Sequence, residues 1–168
     1  GLHLSCLALD MKPGDEVIVP PFTWVATVNV IEMLGAKPVF VDIELETFNI
    51  DYTKIEAAIT PRTKVILPVS LFGISAPMHP IMEIARQHNL KVVEDDACAT
   101  GAWYQGHHAG TLADLGCFSF HPRKAITTGE GGMVITNDEE IARTLQSLRD
   151  HGASKSDLAR HHGNRSYI

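Results

Sequence analysis

Short apolar runs of strand length alternate with helix-length segments along this chain, and that alternation limits the possible folds more than any other feature. Glu16-Val-Ile-Val-Pro20, Lys37-Pro-Val-Phe-Val-Asp-Ile43, Thr63-Lys-Val-Ile-Leu-Pro-Val-Ser70 and the run opening at Leu90 read as strands. The third is nearly continuous in apolar residues, the pattern of a strand covered on both faces. Helices are expected from Leu2 to Met11, stopped by Lys12-Pro13-Gly14, and from Thr23 to Leu34, closed by Gly35. Two more are expected from Asp51 to Ile59, halted before Pro61, and from Pro77 to Asn89, with Met78, Ile81, Ile84 and Ala85 on one face. The fold class that follows is α/β: a mostly parallel sheet with right-handed crossovers and helices on both faces.

The second half adds a hairpin-like turn at Trp103-Tyr-Gln-Gly-His-His-Ala-Gly110, an apolar strand from Gly116, and another strand at Gly132-Met-Val-Ile-Thr. Asn137, with Glu140 three places on, is expected to cap a helix running to about Asp150. From His151 to Ile168 the sequence is polar without clear period and reads as a loop or mobile tail. No internal repeat or interdomain linker is evident, so residues 1–168 are expected to form a single domain. The chain opens inside a helix and lacks an initial methionine, which suggests a segment truncated at both ends.

At 168 residues, 45% hydrophobic and 20% charged, the chain can bury a sizeable core. A formal charge of -6 argues against nucleic acid or an anionic membrane as partner. No apolar run reaches the roughly 18 residues that span a bilayer. Cys6, Cys98 and Cys117 are odd in number, far apart and set among apolar or small residues, the pattern of reduced thiols in the cytoplasm. His107-His108 and His161-His162 lack both the spacing and the neighbours of a zinc site, so no metal is expected.

Two stretches carry candidate chemistry. Gly116-Cys-Phe-Ser-Phe-His-Pro-Arg-Lys124-Ala-Ile-Thr-Thr-Gly-Glu-Gly-Gly-Met133 places one lysine in a polar, glycine-rich turn after an apolar strand. Such an amine condenses with carbonyls only when partly deprotonated, which burial or the neighbouring Arg123 can favour; otherwise the pair is a solvated surface turn. Leu90-Lys-Val-Val-Glu-Asp95-Asp-Ala-Cys-Ala-Thr-Gly-Ala102 is a buried-strand pattern ending in carboxylates, where ligands of open α/β sheets bind. A lysine on a loop and a carboxylate at a strand end match pyridoxal phosphate, which needs a Schiff-base lysine and an acid against its pyridine nitrogen. Asp95 and Asp96 are rivals for that acid, because adjacent strand residues point to opposite faces. No Gly-x-Gly-x-x-Gly follows a strand, which disfavours a nucleotide-dependent dehydrogenase.

The runs Val93-Glu-Asp-Asp-Ala-Cys98, Phe118-Ser-Phe-His-Pro-Arg-Lys124 and Thr128-Gly-Glu-Gly-Gly-Met133-Val-Ile-Thr resemble the DegT-type sugar aminotransferases, a branch of the fold-type I pyridoxal-phosphate enzymes. The resemblance extends from about Leu2 to the last residue. It implies the large cofactor-binding domain of the aspartate-aminotransferase-like fold, in part. The Gly-Thr phosphate loop that precedes the first helix in that family is absent from these residues.

The resemblance also implies roles. Lys124 would hold the cofactor and move a proton, Asp95 would face the pyridine nitrogen, and Ser119 would bind the phosphate. Trp24, in Phe22-Thr-Trp-Val, would lay its ring on the cofactor. Cys98 stands where relatives often have glutamine or histidine near the cofactor, and Asp96 where they have a small residue. Thr127, Gly129, Glu130, Gly131 and Gly132 would shape the lysine turn. The implied substrates are an amino acid donor such as glutamate and a nucleotide-linked ketosugar, and the implied assembly is a homodimer with shared active sites. A related dehydratase branch carries histidine in place of the lysine, which Lys124 argues against. The alternative from another class is a non-catalytic binding or regulatory module of the same fold.

Overall fold

The computed structural model describes residues 1–153, so most of the tail expected from His151 lies outside the described residues, as does His161-His162. The elements are α1 (Leu2–Ala8), β1 (Glu16–Val19), α2 (Val25–Met33), β2 (Lys37–Phe40), α3 (Ile55–Ala58), β3 (Thr63–Ile66) and α4 (Met78–Gln87). They continue with β4 (Lys91–Asp95), β5 (Trp103–Tyr104), β6 (His107–His108), β7 (Leu115–Ser119), β8 (Gly132–Ile135) and α5 (Glu139–Arg149).

Six strands form one sheet in the order β2-β1-β3-β4-β7-β8. All neighbours are parallel except β7 and β8, which run antiparallel. Each of α2, α3 and α4 joins two parallel strands, the crossover that parallel pairing requires. β5 and β6 form a separate antiparallel pair, with Trp103 opposite His108 and Tyr104 opposite His107, matching the expected hairpin.

The sheet has helices on both faces, and the strands sort their side chains by parity. Val17, Val19, Val65, Leu67, Val93, Leu115 and Cys117 pack with Cys6 of α1, Ile31 of α2 and Leu145 of α5. Ile18, Ile66 and Val92 point the other way and pack with Ile55 of α3 and Met78, Ile81 and Ala85 of α4. Ile18, Ile66 and Met78 are fully buried, each burial contributing roughly 1.5–3 kcal/mol. Gly116 has no alternative in β7: a Cβ there would overlap the backbone of Gly110, which crosses directly over the strand.

Three expectations need correcting. The Asp51–Ile59 helix is only Ile55–Ala58 preceded by a 3-10 turn at Tyr52–Lys54. There Asp51 accepts from Thr53 N at 3.1 Å and Thr53 Oγ1 at 2.6 Å, a local side-chain turn that competes with the helix. α2 begins at Val25 with Trp24 in extended backbone at its N-cap, so the helix starts two residues later than expected. The cap of α5 is Asp138 rather than Asn137: its Oδ1 accepts from Glu140 N at 2.8 Å and from Ile141 N at 3.1 Å. Asp138→Ala is therefore expected to lower stability by about 1 kcal/mol, and Asn137→Ala by much less, in denaturant unfolding.

Candidate active site

The parallel order brings the carboxyl ends of β4 and β7 side by side, with Asp95 opposite Cys117. A cleft of about 1250 Å³ opens over those ends on the α1 and α2 face, lined among others by Thr23, Trp24, Asp95, Cys98, Ser119 and Lys124. All five residues singled out from the sequence thus share one cleft.

Asp95 is 4% exposed. Its Oδ2 accepts from Thr27 Oγ1 at 2.8 Å and its Oδ1 from Ala97 N at 3.2 Å. Burial pushes its pKa up, while the Thr27 hydroxyl, the Ala97 amide and the Lys124 charge pull it back. Glu94 and Asp96 point away from the cleft. Glu94, fully buried, accepts from the amides of Gly110, Leu112 and Ala113, each at 2.9 Å, and so fastens the segment between β6 and β7. Burial raises its pKa against those three donors.

Asp96 is equally buried, and neither of its carboxylate oxygens has a hydrogen-bond partner. Burial first, then the charges of Glu94 and Asp95, push its pKa up to about 8. The nearby Ser70 hydroxyl opposes this, though it lies outside hydrogen-bonding geometry with Asp96 and accepts from Ala76 N at 3.2 Å. Asp95 therefore faces the cleft and Asp96 does not.

Lys124 sits on the loop between β7 and β8, which closes on itself. Phe120 N donates to Gly131 O, Thr128 N and Thr127 Oγ1 donate to Phe120 O, and Lys124 N donates to His121 O at 2.9 Å. Gly129 supplies the positive φ of +81° that this turn uses. The half-buried lysine directs its Nζ to Cys98 Sγ at 3.1 Å. Ser119, at the end of β7, accepts from His121 N at 3.4 Å, which leaves its hydroxyl proton free for the cleft. Trp24 is 72% exposed, so its indole is not packed between helix and sheet but stands at the wall of the cleft.

Thr27 was not apparent from the sequence. It lies one helical turn after Thr23, and the two hydroxyls meet at 2.8 Å. The i, i+4 pair of threonines flanking the start of α2 was the available signal, but Asp95, the partner of Thr27, is 68 residues away.

The donor set suits pyridoxal phosphate: a reachable amine, a buried acid with remaining lone pairs, a strand-end hydroxyl and an exposed indole. Among the described residues, no group of three or more His, Cys, Asp or Glu side chains is placed to hold a metal. No helix among them is long and apolar enough to cross a membrane.

The chain is 52% identical over 151 residues to GDP-perosamine synthase of Caulobacter vibrioides, covering 90% of this chain and 41% of that protein. It is 50% identical over 153 residues to UDP-N-acetyl-3-dehydro-alpha-D-glucosamine 3-aminotransferase of Acidithiobacillus ferrooxidans, covering 90% and 42%. The fold superposes on the crystal structure of NtdA from Bacillus subtilis with its bound cofactor PMP, with a TM-score of 0.87 and 38% identity over 99% of this chain and 37% of that one. The chain spans about two fifths of the length of the curated relatives it matches. With residues 1–166 matched by the DegT/DnrJ/EryC1/StrS aminotransferase family, the chain belongs to that family.

Proposed function

We propose that the cleft binds pyridoxal phosphate and that the protein containing this segment transfers an amino group from an amino acid, glutamate, to a nucleotide-linked ketosugar. The observation that carries the reading is the meeting of Lys124 and the buried Asp95 in one cleft. Relatives named for GDP- and UDP-linked sugar chemistry support the acceptor class.

Bound there, the cofactor supplies an electron sink for charge developing at the substrate carbon. Lys124 Nζ would hold the cofactor aldehyde and is the group placed to move a proton at the reacting carbon. The Cys98 thiol accepts from that amine and limits where it points. Asp95, whose ionised form Thr27, Ala97 N and the Lys124 charge favour against burial, would face the pyridine nitrogen and favour its protonation. The Ser119 hydroxyl donates to a phosphate oxygen, and Trp24 covers the ring and excludes water.

The same reading makes the chain the segment of a longer large domain, working as a homodimer in the cytoplasm, where its three free cysteines stay reduced. Titration of pyridoxal phosphate into the whole protein is expected to give a visible absorbance band that saturates at one equivalent per chain. An unchanged cofactor spectrum would favour a non-catalytic module instead.

A further inference from the structure

We infer that Thr27 is a positioning residue for the cofactor acid: with Thr23 behind it, its hydroxyl donates to the Asp95 carboxylate, favours the ionised form against burial and aims it into the cleft. The inference rests on the reading of the cleft as a pyridoxal-phosphate site, and assigns a role to two residues to which the resemblance gave none.

The geometry fixes the direction of the relay. A threonine hydroxyl has one proton to donate. Thr27 Oγ1 gives that proton to Asp95 Oδ2 at 2.8 Å, so in the Thr23–Thr27 contact, also at 2.8 Å, Thr23 is the donor. Thr27 is 1% exposed and Asp95 is 4% exposed, so water does not replace the bond if it is lost. Thr23 is half-buried at the cleft wall, where its hydroxyl polarises the inner one. The chain of donors therefore runs from the cleft wall, along the first turn of α2, to the carboxylate on β4.

This bond opposes the largest force on Asp95. Removal from water favours its neutral form, and a neutral carboxyl cannot keep a pyridine nitrogen protonated. The other groups facing Asp95 are few. Lys124 lies across the cleft, the buried Cys117 thiol is on β7, and Asp96 follows directly after β4. Only the Thr27 hydroxyl and the Ala97 amide, among the described residues, donate to the Asp95 carboxylate directly.

The test compares Thr27→Val, which keeps the shape and removes the hydroxyl, with Thr27→Ser, which keeps the hydroxyl. In the cofactor-free whole protein, the Asp95 carboxyl is titrated by carbon NMR; in parallel, pyridoxal phosphate affinity is measured by absorbance. Thr27→Val is expected to move the Asp95 titration to higher pH and to weaken cofactor binding at least about tenfold, the size of one hydrogen bond to a buried charge. Thr27→Ser is expected to restore both. Thr23→Val, at a half-buried position, gives a smaller shift in the same direction and serves if Thr27→Val does not fold. An unmoved titration in Thr27→Val, or an equal shift in Thr27→Ser, overturns the inference. If wild-type protein fails to bind the cofactor, the functional reading fails, while the NMR titration still decides the role of Thr27.

Discussion

Replacing Lys124 with alanine lowers amino transfer by the whole protein about 10⁴-fold, with thermal unfolding and circular dichroism unchanged. The size follows from the two tasks given to one amine, anchoring the aldehyde and moving the proton; positioned acid–base groups contribute roughly 10²- to 10⁴-fold by themselves. The fold tolerates the change because Lys124 sits on a loop held by its own backbone bonds, and among the described residues its amine has one partner, Cys98 Sγ. Adding a small primary amine to the variant restores part of the rate, since an external base can then reach the reacting carbon. A variant within tenfold of wild type would mean that another group does this work.

Replacing Asp96 with alanine stabilises the protein, most strongly at alkaline pH. Asp96 is fully buried without a hydrogen-bond partner, and its pKa rises to about 8 in the fold, from the ordinary carboxyl value when unfolded. Between those two values the native state retains a proton that the unfolded state has lost, so stability falls as pH rises from about 4 to 8. Alanine removes that dependence. The expected gain grows between pH 4 and pH 8 by at most about 1.4 kcal/mol per pH unit, reaching several kcal/mol near pH 8, and is much less near pH 4. Urea unfolding at both pH values measures it. Equal stability of the two proteins at pH 8 would show that Asp96 finds a partner in solution. The substitution leaves the cleft wall intact, because Asp95 alone of the three consecutive acids faces the cleft.

The strands were readable because burial on both faces makes them short, apolar and unbroken, as in β3 with Val65, Ile66 and Leu67. The pairing of Asp95 and Lys124 was readable because each marks the end of such a strand or the loop after it. Strand parity alone left open which acid faces the cleft, since it tells that two neighbours diverge but not which face carries the opening; the family resemblance named Asp95, which lines the cleft. Thr27 was hidden for a related reason: its importance comes from a contact between α2 and β4 that no local pattern encodes.

Caps and turns were lost to near-equal local choices. Asn137 and Asp138 have similar capping preference, and only the final approach of the chain selects the second. Phe48 and Phe72 adopt positive φ of 60° and 54°, conformations that bulky residues avoid. Their rings meet each other at 5.9 Å and Phe22 at 5.3 and 6.4 Å, so packing overrides backbone preference there.

The most direct test is to load the whole protein with pyridoxal phosphate, reduce it with borohydride, digest it and locate the modified residue by mass spectrometry. The account predicts one phosphopyridoxyl group per chain, on Lys124 and absent from Lys124→Ala. A modification on another lysine, or none on the reduced wild-type protein, would contradict it.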